Sequence, residues 1–232
     1  MFRVRTILLV GFCLASTLVQ AKVKPQKFTL SSPSIKPNST LSQAQVYNDS
    51  GCSGQNQSPA LRWTPGPKGT KSYAITVHDP NGRGPIFWHW IAYNIPANVT
   101  ELVANAGKAD DTLLDDLAGE ATGDPTSDPA GDTTDAYVNG DISDTATEDT
   151  TAVGSSDTLL PPGTVQGSNS YGDDFFDGAC PPKNKPHRYI FTVYALKVEK
   201  IDDPGSESPE DLIAIIEKNA LKHTGFLAKY RR

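Results

Sequence analysis

Three short stretches of the chain hold the residue types that do polar chemistry. Thr76-Val-His-Asp79-Pro80 closes one β-prone run, Trp88-His89-Trp90 opens the next, and a Gly/Pro-containing loop from Asn81 to Ile86 joins them. If the two runs form a hairpin, Asp79 and His89 arrive at the same end of a sheet. A carboxylate beside an imidazole favours the charged ring, so the expected product is a cation suited to holding an anionic ligand. Further along, Gly178-Ala-Cys-Pro181-Pro182-Lys-Asn-Lys-Pro-His187-Arg188-Tyr189 sets a rigid double proline ahead of a second histidine that opens another strand. Alone, an Asp-Pro step is usually a turn and a single histidine is usually structural. Two histidines and an aspartate, each at a strand edge beside a Gly/Pro loop, are what the wall of a pocket requires.

The elements that must position these residues are mostly strands. Residues 71–78 alternate Tyr73, Ile75 and Val77 with smaller or polar side chains, the pattern of a strand buried on one side. Residues 87–95 are aromatic and β-prone and stop at Pro96. The run 189–196 is almost continuously apolar, as in a central strand covered on both faces. One helix is well signalled: Ser208 as N-cap, Pro209 at the first helical position, an acid at Asp211, then Leu212, Ile213, Ile215, Ile216, Ala220 and Leu221 at helical spacing. After Gly225, residues 226–230 read as a short final strand. The sum is a mainly β chain, an antiparallel β-sandwich with one or two peripheral helices.

The two ends of the argument on composition are a leader and an insertion. Residues 1–21 combine Arg3 and Arg5 with an apolar stretch from Ile7 to Val19 and small-residue spacing before Ala21, the make-up of a secretory signal peptide. About a dozen apolar residues fall short of the roughly 20 that span a bilayer, so a periplasmic or secreted protein is expected, with residues 22–232 as one domain. Cleavage leaves two cysteines, Cys52 and Cys180, for which a disulfide is expected in an oxidising compartment, the alternative being two free thiols. The segment 105–160 carries 14 Asp and Glu against Lys108 alone, which leaves the rest of the mature chain mildly basic. Within it, residues 117–157 are built of Asp, Thr, Gly, Ala, Ser and Pro and cannot bury enough apolar surface to order themselves. A disordered acidic insertion is expected there. Its Asp spacing lacks the EF-hand pattern, so a solvated loop is preferred to a calcium site.

At this point the motifs, taken together, resemble the phosphatidylethanolamine-binding protein family, and within it the bacterial Raf-kinase-inhibitor-like branch. Ser58-Pro59-Ala-Leu-Arg-Trp63, Asp79-Pro80, Trp88-His89-Trp90 with Asn94-Ile95-Pro96, Gly163-Thr-Val-Gln-Gly167, and Cys180-Pro181-Pro182 with His187-Arg188-Tyr189 occur in the family's order. The match covers nearly the whole mature chain outside the acidic insertion. The resemblance implies a Greek-key β-sandwich whose small cavity takes phosphate-like or carboxylate anions, including a phosphoethanolamine head group. Carried over, Asp79, His89 and Trp88 line that cavity from one side, and Pro181, Pro182, His187 and Tyr189 from the other. Two features depart from the family: Asn81 stands where a second acid is usual, and the acidic insertion fills a connection that bacterial relatives keep short.

The expected function is therefore non-catalytic binding of a small anion. The alternatives are a secreted regulator that inhibits a kinase or protease partner through surface loops, and a weak hydrolase using Asp79 and His89 as acid and base. No serine or cysteine stands in a nucleophile motif and no ligand spacing suggests zinc. No cofactor, metal, nucleic-acid partner or membrane span is expected; a protein partner remains open.

Overall fold

The computed structural model of the chain describes residues 26–82, 84, 86–108, 159–202 and 208–232; the leader at 1–21 and the acidic insertion at 117–157 lie outside them. In chain order the described strands are β1 (Leu30–Ser31), β2 (Leu61–Trp63), β3 (Ser72–Asp79), β4 (Phe87–Pro96), β5 (Glu101–Leu102), β6 (Val165–Gly167), β7 (His187–Leu196) and β8 (Ala220–Tyr230). Helix α1 (Pro209–Asn219) stands between β7 and β8. The strands form two antiparallel sheets, a small one in the order β1-β2-β5 and a large one in the order β6-β4-β3-β7-β8.

The small sheet covers one face of the large one. Leu61 and Trp63 from β2 share a core with Tyr73, Ile75 and Val77 of β3, Trp90 of β4, Tyr189 and Phe191 of β7 and Phe226 of β8. The other face of the large sheet takes α1, whose Leu212, Ile213 and Ile216 pack with Ala74, Ile91, Tyr194 and Leu196. This two-sided cover corrects the expectation of a half-buried β3: every residue from Ser72 to Val77 is buried. The small side chains between the apolar ones, Ser72, Ala74 and Thr76, fill the α1 side of the strand, and the alternation of residue size mimics one-sided burial.

Helix α1 begins as its sequence requires. The Ser208 hydroxyl accepts from the backbone N–H of Asp211 at 3.2 Å, and Pro209 occupies the first turn, where no amide donor is needed. It ends two residues earlier than its apolar spacing suggests. Ala220 and Leu221 start β8 instead, because β7 offers a pairing edge that runs from His187↔Tyr230 to Leu196↔Ala220, with one irregularity between Ala195 and Leu196. Gly225 does not precede a short strand but sits within a long one. A Cβ there would lie 2.3 Å from the Phe191 carbonyl oxygen, so the close approach of β7 and β8 demands glycine.

Candidate functional site

Three strand ends meet at one end of the large sheet. Asp79 is the last residue of β3, Phe87 the first of β4 and His187 the first of β7. The hairpin expected from sequence is present, with Asp79 opposite Phe87. Its register slips on the way: Val77 faces Trp90, but His78 faces Trp88. His89 is the residue left over, and such a bulge re-aims the side chains around it. Without it Trp88 and Trp90 would share a face. Instead Trp90 enters the core beneath the small sheet while Trp88 joins the α1 side. Trp88 packs there on His78, ring centroids 4.9 Å apart. The expectation that Trp88 lines the pocket is thereby corrected.

Asp79 and His187 come together directly. Both side chains are buried, 4% and 8% exposed, and His187 Nδ1 lies 2.5 Å from Asp79 Oδ2. The other carboxylate oxygen accepts from the Asn81 backbone N–H at 2.7 Å. Asn81, in the place of the family's second acid, uses its side-chain oxygen to accept from Arg188 Nε at 3.1 Å. The loss of a charge there is thus matched by a tie between the β3–β4 loop and β7.

His89 takes a different partner from the one its position in the hairpin suggests. Its Nδ1 is 2.8 Å from the backbone carbonyl of Asp177, and the Asp177 N–H donates back to the His89 carbonyl at 2.9 Å. Burial pushes the ring down to about 4; the Asp177 carbonyl, the charge of Asp79 and the Gly178 carbonyl oppose this only in part, and His78 adds to it. The expected cation is corrected: His89 is neutral near pH 7, because desolvation outweighs the nearby carboxylate.

Aromatic rings enclose this histidine. Its centroid lies 5.1 Å from Phe87, 5.2 Å from Tyr189 and 5.9 Å from Tyr171. Tyr171 in turn contacts Phe87 at 4.9 Å and Tyr47 at 4.6 Å. Burial raises the Tyr189 hydroxyl above the usual phenol range, with Asp79 adding to it; Tyr171 is raised by burial, then by Asp177, Tyr47 and Asp79. Both phenols therefore stay protonated. The Nε2 atoms of His89 and His187 and these two hydroxyls make no hydrogen bond among the described residues. The partnerless polar atoms sealed from solvent are others, at Trp63, Thr76, His78, Trp88, Thr164 and Arg232. None of the four site atoms is among them.

The segment that supplies the Asp177 carbonyl is itself fastened through a buried carboxylate. Asp177 Oδ1 accepts from Asn56 Nδ2 at 3.1 Å and Oδ2 from Asn169 Nδ2 at 2.7 Å. The Asn169 side-chain oxygen accepts from the N–H groups of Tyr171 and Asp173, and that of Asn56 from Gly178. Burial lifts the Asp177 carboxyl from 3.8 to about 6, against the pull of its two amide donors. Tyr47, Asn56, Phe87, Asn169, Tyr171 and Asp177 are all absent from the residues chosen by sequence. Only the run Asn169-Ser-Tyr171-Gly-Asp-Asp-Phe-Phe-Asp177, polar and Gly-containing directly before the double proline, carried a readable signal.

Pro181 is buried and Pro182 exposed. The turn they stiffen is pinned by the Cys52–Cys180 disulfide, with Cα atoms 6.0 Å apart, as expected from the cysteine pair. Elsewhere, between β4, β6 and the start of α1, a cavity of about 400 Å³ is lined by Asn94, Gln166, Asp174, Lys200 and Ser208 among others; neither site histidine, Asp79 nor Asp177 lines it. Among the described residues no group of three or more His, Cys, Asp or Glu side chains is placed to hold a metal, and no helix is long and apolar enough to cross a membrane.

Fold and site together define a mainly β protein of two antiparallel sheets with a polar, aromatic-walled site where strand ends converge. The family model described as phosphatidylethanolamine-binding protein matches residues 31–231, and the chain belongs to that family. It is 38% identical over 176 residues to the UPF0098 protein YbcL of Escherichia coli K12, covering 75% of this chain and 71% of that one. With the UPF0098 protein YbhB of the same organism it shares 31% over 174 residues, 75% and 80% of the two chains. The crystal structure of E. coli YbcL, described as a new member of the mammalian PEBP family, superposes with a TM-score of 0.66 at 32% identity, covering 89% of this chain and 99% of that one.

Proposed function

We propose that this protein binds a small phosphate-like or carboxylate anion, such as phosphate or phosphoethanolamine, at the Asp79–His187–His89 site, and that it does so without catalysis. One observation carries the reading: two imidazole Nε2 atoms and two tyrosine hydroxyls that have no hydrogen-bond partner among the described residues stand beside a carboxylate-anchored histidine. Polar atoms left open within an aromatic wall are the make-up of a site that fixes a small ligand by a few hydrogen bonds. Among the described residues no activated nucleophile stands beside them: Cys180 is bridged and neither histidine hydrogen-bonds a serine. The Tyr189 hydroxyl supplies a donor, and His187 is held in one orientation by Asp79.

The test is calorimetric titration with O-phosphoethanolamine and with acetate on the wild type, His89→Ala and His187→Ala. Each substitution is expected to weaken binding by about tenfold or more, the loss of one buried hydrogen bond. Unchanged affinity in both variants, with native circular dichroism, refutes the site. We also propose that residues 1–21 are removed on export to the periplasm or beyond. The Cys52–Cys180 disulfide supports this, because such bonds persist in oxidising compartments. The intact mass of the protein recovered from its source decides it: retention of residues 1–21 rules the cleavage out.

A further inference from the structure

We infer that the site selects oxyanions that still carry a proton, hydrogen phosphate or a phosphomonoester bearing P–OH, over tetrahedral oxyanions that carry none. This rests on the anion-binding reading and specifies its ligand. The argument begins with one hydrogen bond. His89 Nδ1 faces the Asp177 carbonyl at 2.8 Å, and a carbonyl can only accept, so Nδ1 carries the proton. A neutral ring has just one N–H, which leaves Nε2 as a bare lone pair opening into the site. The wall thus presents an acceptor where a cation would be the simplest device for an anion.

A ligand oxygen placed against that lone pair must donate. A fully ionised oxyanion brings lone pair against lone pair, and a buried acceptor left unmatched is expensive. The surroundings act in the same sense. Asp79 and His78 of β3 act on His89; around its aromatic wall stand Asp177, Asp173 and Tyr171 from the 168–180 segment, His187 and Tyr189 from β7, and Asp49 near Tyr47 at the far side. The carboxylates outnumber the basic groups in this set, a field that favours the protonated form of a bound phosphate. Donors for the remaining ligand oxygens are the Tyr171 and Tyr189 hydroxyls, which burial keeps protonated. A P–OH group set on His89 with its other oxygens toward the tyrosines satisfies the His89 lone pair and both phenols together. Selection by a mismatched donor or acceptor discriminates far better than selection by shape between anions of equal size.

The experiment compares inorganic phosphate, sulfate and dimethyl phosphate by calorimetry on the full chain near neutral pH. Phosphate keeps a P–OH there, whereas sulfate and the diester have none. Phosphate is expected to bind at least about tenfold more tightly than either. In His89→Gln an amide N–H can turn toward the ligand, so sulfate binding should strengthen and the ratio fall toward unity. Nitrogen-15 imidazole spectra of the wild type give a readout independent of binding and of how the variant folds: a protonated Nδ1 and bare Nε2 on His89 are expected, and the opposite tautomer overturns the inference. Equal binding of all three anions overturns it too while leaving the anion site standing. Binding of none removes the site itself.

Discussion

Asp177→Asn separates two opposing influences on a fully buried carboxylate. Its two oxygens accept from Asn56 and Asn169, and neither amide is free to turn over, because their own oxygens are held by the N–H groups of Gly178, Tyr171 and Asp173. An asparagine at 177 must therefore set its NH2 against another NH2, a mismatch of about 1–3 kcal/mol that does not change with pH. The charge effect does change. The carboxyl is raised from 3.8 to about 6, so between those values the folded wild type binds more protons than the unfolded chain. Its stability accordingly falls as pH rises through that window, by about 3 kcal/mol for a shift near two units at about 1.4 kcal/mol each. The variant lacks this slope. Urea unfolding of both proteins from about pH 4 to about pH 7 should show the stability of wild type minus that of variant shrinking by about 3 kcal/mol over that window. A difference that is flat or grows with pH would show that the amide donors, not burial, dominate the carboxyl, and the reasoning would be wrong.

Other outcomes follow from single contacts. Gly225→Ala drives a Cβ to within 2.3 Å of the Phe191 carbonyl and should lower stability by about 2 kcal/mol or more, read as a drop in Tm; an unchanged Tm refutes the tight β7–β8 approach. Replacing Cys52 and Cys180 together by serine opens a loop of 128 residues and should remove up to about 5 kcal/mol, so identical urea midpoints for variant and wild type would deny the bridge any stabilising role. Trp88→Phe should leave phosphate affinity within about twofold of wild type while lowering Tm, since the ring packs on the α1 side; a loss of binding would return Trp88 to the site. Ser208→Ala removes the α1 cap and should cost about 1 kcal/mol.

Strand order and site membership were legible to different depths. Asp79, His187 and Tyr189 could be placed because each sits at the end of a run whose β character is written locally, and antiparallel pairing then carries strand ends to one edge. The extra length of β8 was not legible, since Ala220 and Leu221 have helical spacing and only the waiting edge of β7 turns them into strand. Trp88 was misplaced for a related reason. Alternation is a rule of regular pairing, and nothing in Phe87-Trp88-His89-Trp90 announces that β3 will skip one residue opposite it. Tyr47, Asn56, Asn169 and Asp177 come from connections whose conformation is set by side-chain hydrogen bonds over long sequence distances, such as the 121 residues between Asn56 and Asp177.

The charge of His89 was the deepest error, and its cause is general. Sequence names the neighbours of a titratable group but not the balance between their field and the loss of water. Asp79 does act on the ring in the direction expected, yet full enclosure by Phe87, Tyr171 and Tyr189 moves it further the other way. The bulge that turns His89 inward also brings its Nδ1 to the Asp177 carbonyl, so one backbone irregularity decides burial, tautomer and the polarity of the atom left facing the ligand. A site assembled this way recognises through the pattern of donors and acceptors, with net charge secondary. That order of importance is what a comparison of phosphate with sulfate reads out, because the two anions share a shape and differ in the proton.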